Sequence, residues 1–293
     1  MYALRPPAAA LRRFVEHYWF VTPDDGPVDL RVDVFVDARA DLIFNFGAPY
    51  TREIIGGAAS SHHASNLDAQ RLVPIRIVQR GMVRTTGVRF RLGGLGPFVR
   101  APLRPWTNTT PSVDAVLGAD ATRLDRELAG LDDLDAQAAA LDRFLLDQLV
   151  LDEGLAVFSR GLERLVEGDG NHSVESVAGE LAVSTRQLDR LFARYLEIAP
   201  KAVAKVLRFQ RTLRALMRDP KVTLAEVAAD AGYFDQAHFI KDFKRMTGGV
   251  PRGYRGYYPP QAPEHFAPNV VVFVRDAEAE PPPSTVVSRR RAR

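Results

Sequence analysis

Gly232-Tyr-Phe-Asp-Gln-Ala-His-Phe-Ile-Lys-Asp-Phe-Lys-Arg-Met-Thr-Gly248 is the stretch on which the reading of the chain turns. Asp235 is a good helix N-cap, and Gly232 suits the left-handed turn residue before it. Past that cap, Phe239 and Phe243 share one helical face, which leaves Gln236, Ala237, Ile240 and Lys241 on the other. Upstream, Thr223 and Glu226 form a capping box ahead of the apolar positions Leu224, Val227, Ala228 and Ala231. A capped helix, a turn and a second capped helix follow one another.

The pattern occurs twice. Phe192, Arg194 and Pro200 return as Phe243, Arg245 and Pro251, 51 positions later, and Leu188 and Arg190 return as Phe239 and Lys241 at the same offset. Val174, Val177, Ala178 and Leu181 return as Leu224, Val227, Ala228 and Ala231, but 50 positions later, so the second copy carries one extra residue in its turn. Such an insertion leaves each helix its own register. Ser173 is the N-cap expected for the first helix of copy one, and Ser184 with Gln187 is a capping box for its second. Between the copies, Pro200 fits a helix N1 position, and Val203, Val206, Leu207, Leu213, Leu216 and Met217 keep one apolar face through Arg218. The spacing predicts a connecting helix of about 18 residues, roughly 27 Å long. A spacer of that length can set two recognition helices one DNA turn apart, about 34 Å.

Here the chain resembles the AraC/XylS-type family of bacterial regulators. The second unit, continued through Pro251 and Tyr254, matches that family's signature nearly position by position, and Leu181-Ala-Val-Ser-Thr-Arg-Gln-Leu-Asp-Arg-Leu-Phe192 matches its less uniform partner. The resemblance implies a bipartite seven-helix DNA-binding domain and regulation, activation included, of a nearby promoter. The N-terminal part is similar to a domain of unassigned function found on some such regulators, through Tyr18-Trp19, Asp41-Leu-Ile-Phe-Asn-Phe-Gly47 and Gly87-Val-Arg-Phe-Arg-Leu-Gly-Gly94. It names no ligand.

In the first unit Leu188, Leu191, Phe192 and Tyr195 face inward, leaving Thr185, Arg186, Asp189 and Arg190 toward the groove. The resemblance makes Arg186, Asp189 and Arg190 the positions that meet base edges. Arg bonds guanine bidentately and Asp accepts from cytosine, although Asp189 can equally pair with Arg186 or Arg190 and orient it. In the second unit Gln236 is the best reader, since its carboxamide pairs with adenine, while Ala237 and Ile240 can touch only a thymine methyl and Lys241 lies beside them. Asp235 reads as a cap rather than a contact, and the resemblance holds His238 against the fold. Ser184, Arg194, Lys201, Lys205, Lys244, Arg245, Arg252 and Arg255 are candidates for phosphate contacts; plain surface charge is the alternative for each.

Charge distribution agrees with this division. The net charge is +3, yet residues 1–150 carry −1 and residues 171–258 carry +6. A basic block beside a near-neutral region fits nucleic-acid binding. The absence of cysteine removes disulfides, thiolate metal sites and cysteine nucleophiles, including a DNA-repair alkyl acceptor. Neither Gly-x-Ser-x-Gly nor a Gly-Lys-Ser phosphate loop occurs, so no enzyme class is indicated. The remaining competitor is a non-specific architectural DNA binder.

Toward the N-terminus, Leu11, Phe14, Val15, Tyr18 and Trp19 have helical spacing and predict an amphipathic opening helix over 8–20. Alternation at Leu30, Val32, Val34 and Val36 predicts a strand, as does the run Leu42–Phe46, with further strands at 52–56, 71–79 and 83–92. Helices are expected over 134–149 and 153–167. Trp19, Phe44, Phe46, Phe90 and Trp106 could line a pocket with Arg89 or Arg91 facing an anionic effector; as core residues they need no ligand. His62-His63 lacks a third ligand at useful spacing, so no metal and no cofactor are expected.

The fold class expected is α+β: a mainly antiparallel β domain with flanking helices over 1–110, a helical connector over 111–170, an all-α double helix-turn-helix domain over 171–258, and an extension with a disordered tail over 259–293. The best boundary lies at Gly168-Asp-Gly-Asn171. Expected partners are double-stranded DNA and RNA polymerase, with a small-molecule effector and a second copy of the chain as further ones. No membrane partner is expected, because no apolar run reaches spanning length, and the bacterial cytoplasm is the expected address, at the nucleoid.

Overall fold

The computed structural model describes residues 2–22, 26–62, 64–100, 102–219, 221–254 and 272–274. Nine strands open the chain: β1 (Tyr2–Arg5), β2 (Val15–Val21), β3 (Val28–Val34), β4 (Asp41–Asn45), β5 (Tyr50–Ile54), β6 (Ala59–His62), β7 (Asn66–Asp68), β8 (Ile75–Gly81) and β9 (Thr85–Phe90). Three helices follow, α1 (Val113–Leu117), α2 (Ala119–Ala129) and α3 (Leu134–Gln148). The remainder is α4 (Glu153–Glu167), α5 (Val174–Glu180), α6 (Thr185–Tyr195), α7 (Pro200–Arg218), α8 (Leu224–Asp230), α9 (Gln236–Thr247) and a 3-10 turn at Pro251–Tyr254. Strand β10 (Val272–Val274) lies inside the C-terminal extension and pairs with β3.

The strands form two antiparallel sheets, in the orders β1-β2-β9-β4-β7 and β10-β3-β8-β5-β6. In the first, Tyr18, Val88, Leu42 and Leu67 form one cross-strand row, all fully buried. Tyr18 donates its hydroxyl to Asp142 of α3 at 2.7 Å, so this face packs on the helices. The neighbouring row, His17, Arg89, Asp41 and Asp68, points to the opposite face, as the two-residue period requires.

The opening helix does not form. Residues 9–11 make one 3-10 turn, and 15–21 are strand β2. A register shift between Val15 and His17 inserts an extra residue opposite β9, which puts Val15 and Tyr18 on one face although they are three apart. The bulge imitates helical spacing. The strands expected at 52–56, 71–79 and 83–92 are found as β5, β8 and β9 with shifted ends, whereas β1, β6 and β7 are too short to show a period.

The expected boundary at 168–171 falls inside a packed unit. Phe158 of α4 meets Phe192 and Tyr195 of α6 with ring centroids 4.9 Å and 5.2 Å apart. Gly170, at φ +76, lies against the Ala204 carbonyl of α7, where a β-carbon would collide. Helix α4 is therefore part of the C-terminal helical unit, not of a free connector. Buried apolar side chains run as one continuous cluster from Leu11 to Tyr254.

Candidate nucleic-acid interface

The first unit is α5 and α6, the second α8 and α9, and α7 joins them. All four short helices start on side-chain caps: Ser173 accepts from the Ser176 N–H, Ser184 from Gln187, Thr223 from Glu226 and Asp235 from His238. At Thr223 the box is complete, with Glu226 accepting the Thr223 N–H at 2.8 Å. At Ser184 only the serine half of the expected box is made. Pro200 is the first residue of α7, whose 19 residues span about 28 Å.

The internal repeat is visible in the hydrogen bonding. The Val183 N–H donates to the Ala178 carbonyl and the Tyr233 N–H to the Ala228 carbonyl, both at 3.0 Å. The preceding residues, Ala182 at φ 54 and Gly232 at φ 71, are both left-handed. Only glycine takes that conformation without strain, which explains Gly232.

Leu188 and Phe192 are fully buried and Tyr195 nearly so, while Thr185, Arg186, Asp189 and Arg190 are exposed together on α6. Among the described residues Asp189 makes no ion pair with Arg186 or Arg190. On α9, Phe239 and Phe243 are fully buried, and Gln236, Ala237 and Lys241 are exposed. Ile240 is half-buried against the core and offers only part of its side chain.

The phosphate candidates divide. Ser184, Lys201, Lys244 and Arg252 are exposed, and Lys205 is half-buried. Arg194 instead ties α6 to α4, bonding Asp152 at 2.8 Å and stacking over Tyr195 at 5.0 Å. Arg245 pairs at 2.9 Å with Asp242, a buried carboxylate that His238 also approaches, at 3.6 Å. Arg255 lies outside the described residues.

Asp152 was not singled out by the sequence reading. It caps α4 by accepting the Leu155 N–H at 2.8 Å and also accepts the Tyr195 hydroxyl. That hydroxyl bond, with the capping N–H and Arg194, holds the Asp152 carboxyl below the usual carboxylate range. The Tyr195 phenol is pushed up to about 12, by burial and by the same bond. An aspartate just before a helical period is a readable cap signal; its tie to Tyr195 is not local in sequence.

The aromatic pocket expected in the N-terminal part does not form. Phe44 pairs with Thr86, three residues from Arg89, so Phe44 and Arg89 lie on opposite faces of their sheet. Phe44 and Phe90 are buried core, Arg84 stacks over Phe46 at 5.5 Å, and Trp106 is half-buried beside the core in a separate 3-10 turn. Arg89 is neutralised by Asp37 and Asp41, and Arg91 donates to the Arg12 carbonyl at 2.8 Å. Burial pushes the Asp37 carboxyl up, but Arg89 and Arg71 more than reverse this and hold it below its ordinary value. An open cavity of about 450 Å³ lies elsewhere, between the ends of β2 and β9 and the α2–α3 connection. Phe20, Thr86, Leu134 and Gln137 line it, and Arg84 crosses its rim to bond the Leu131 carbonyl at 3.1 Å. Among the described residues no group of three or more His, Asp or Glu side chains could hold a metal ion; His62 bonds Ser60 and Thr110, and His63 lies outside those residues.

The N-terminal part docks on both units. Gly96 packs against the Tyr195 backbone of the first. On the second, the Val36 N–H donates to the Met246 carbonyl at 3.4 Å, Gln210 of α7 donates to the Val36 carbonyl, and Phe35 meets Tyr254 edge-on at 5.4 Å.

Comparison with known proteins agrees with this geometry. Residues 177–257 match a family model described as a helix-turn-helix domain. The C-terminal region is an AraC-type helix-turn-helix domain. Residues 4–112 match a domain of unknown function (DUF6597). The HTH-type transcriptional regulator GbdR of Pseudomonas aeruginosa is 31% identical over 122 residues, 41% of this chain and 31% of that protein. The arabinose operon regulatory protein of Escherichia coli K12 is 29% identical over 87 residues, 30% of each. The chain thus spans about a third of the length of these curated relatives. Among solved structures, ToxT from Vibrio cholerae aligns with 78% of this chain and 96% of its own at TM-score 0.43 and 10% identity. No helix among the described residues is long and apolar enough to cross a membrane.

Proposed function

We propose that this chain is a transcriptional regulator that binds double-stranded DNA by sequence, with α6 and α9 entering successive major-groove segments. The observation that carries the reading is the pair of capped helices at the two ends of α7, each with its apolar face buried and a polar face left exposed. Arg186, Asp189 and Arg190 on α6 and Gln236, Ala237 and Lys241 on α9 have the donor and acceptor chemistry of base edges. Ser184, Lys201, Lys205, Lys244 and Arg252 are assigned to phosphate contacts, which position without specifying.

The N-terminal domain modulates binding through its two docking points rather than through α3 and α4 alone. A ligand acts on such a contact only if it binds the docked and undocked arrangements unequally. The cavity beside Arg84 and Gln137 is the place assigned to a small polar effector. RNA polymerase and a second copy of the chain complete the set of partners; transcription in vitro and sedimentation read these out.

The test is selection of duplexes from random sequence by the full chain. Two short motifs about ten base pairs apart are expected, the first altered by Arg190→Ala and the second by Gln236→Ala. No enrichment, or motifs indifferent to both substitutions, contradicts the proposal.

A further inference from the structure

The matched hydrogen bonds locate the residue inserted in the second turn. Val183 and Tyr233 are equivalent, since each donates its N–H to the alanine five residues back and each follows a left-handed residue. Ser184 and Asp235 are equivalent too, as the N-caps of α6 and α9. In the first unit the cap follows Val183 directly, whereas in the second one residue stands between Tyr233 and Asp235. That residue is Phe234.

Its side chain is 93% exposed, the most exposed of the large apolar side chains among the described residues. The neighbours divide sharply. Tyr233 is buried, its ring 5.4 Å from Phe239, and Asp235 is occupied with the His238 N–H at 2.7 Å. Phe234 therefore stands out from the fold beside the first turn of α9, next to the exposed Gln236 and Ala237. A phenyl ring in water is unfavourable, and one placed at the N-terminal end of a recognition helix is where base edges arrive. The ring carries no donor or acceptor, so the one base-edge group in the major groove that suits it is the C5 methyl of thymine.

We infer that Phe234 is a specificity-determining residue of the second unit, which packs its ring on thymine methyl groups beside the base pair read by Gln236. This inference rests on the DNA-binding reading above. The first unit has no counterpart, so the methyl preference belongs to the second motif alone.

The experiment uses the full chain and the duplex it selects. Each thymine of the second motif is replaced by uracil, which removes only the methyl group, and affinities are compared for the unaltered chain, Phe234→Ala and Phe234→Leu. Uracil at one or two positions weakens the unaltered chain about fourfold per methyl, leaves Phe234→Ala within twofold, and weakens Phe234→Leu by an intermediate factor. The thermal midpoints of the three proteins stay equal, because the ring contacts no core. Equal uracil sensitivity in all three overturns the inference while leaving the DNA-binding reading intact. Unchanged DNA affinity with lost polymerase-dependent transcription also overturns it and moves Phe234 to a protein contact. Failure of the unaltered chain to select any sequence removes the reading on which it stands.

Discussion

The Tyr195 hydroxyl of α6 donates to the Asp152 carboxylate that caps α4. One carboxylate thus fixes the start of α4, orients α6 and holds Arg194. This makes α4 a structural support of the first helix-turn-helix unit, outside the family match that begins at residue 177.

Two fragments separate the alternatives. A chain of residues 150–258 retains Asp152, Phe158 and Gly161 against α6 and is expected to unfold cooperatively in urea. One of residues 171–258 exposes Phe192 and Tyr195 and is expected to lose its first unit. Equal stability of the two would return α4 to the role of a connector.

Tyr195→Phe should cost about 1.5–3 kcal/mol, the scale of a hydrogen bond to a charged group. The pH dependence follows from the two shifts. Asp152 lies below its unfolded value, so its contribution is present above about pH 4 and is lost as pH falls through the folded value. Tyr195 lies above its unfolded value, so its contribution is present below about pH 10 and is lost as pH rises toward about 12. Denaturation curves from pH 3 to 11 check both, and Tyr195→Phe should flatten each limb.

Arg89→Met leaves Asp37 and Asp41 buried without their shared cation and should destabilise the β domain by about 3–5 kcal/mol. Because Arg89 and its neighbours hold Asp37 below its ordinary value, the Asp37 contribution should be lost only at acid pH, whereas burial holds Asp41 above its ordinary value and opposes it. A thermal midpoint unchanged by the substitution would show that water reaches the cluster.

Thr223→Ala removes a complete capping box and should cost about 1 kcal/mol. Ser184→Ala removes one bond of a half-box and should cost less on folding, yet weaken DNA if the hydroxyl meets a phosphate. Paired urea and binding titrations separate the two effects.

The C-terminal half was legible because each helix announces itself locally. Caps, the glycine at the turn and an apolar face at helical spacing all lie within a few residues, and the repeat supplied a second reading of each. Asp152 was passed over although its cap is local, because its partner Tyr195 is distant in sequence, and Phe234 was passed over because exposure is not written in sequence. The N-terminal half was legible only in its longer strands. The bulge at Val15–His17 counterfeited a helix, since one inserted residue turns a two-residue period into a three-residue one. The aromatic residues expected to line a pocket could not be sorted by sequence, because which sheet face a residue takes depends on register. Gln210 and Val36 meet across 174 positions, and nothing local encodes that contact.

Reading by side chains differs from non-specific attraction in how binding responds to sequence and to salt. Arg190→Ala should cost about 1–3 kcal/mol and relax preference at one base pair, whereas Lys244→Ala should weaken all duplexes alike and lower the salt slope by about one. A uniform loss in the Arg190 variant would move that residue to the phosphate backbone.

The ratio of affinities of the full chain for its selected duplex and for a scrambled duplex of equal composition, measured at about 150 mM salt, tests the central claim most directly. A ratio of at least about 10³ is expected, the range of specific DNA binders, falling toward one when Arg186, Arg190 and Gln236 are replaced together by alanine. A ratio near one for the unaltered chain would contradict sequence reading and leave an architectural binder that holds DNA by charge alone.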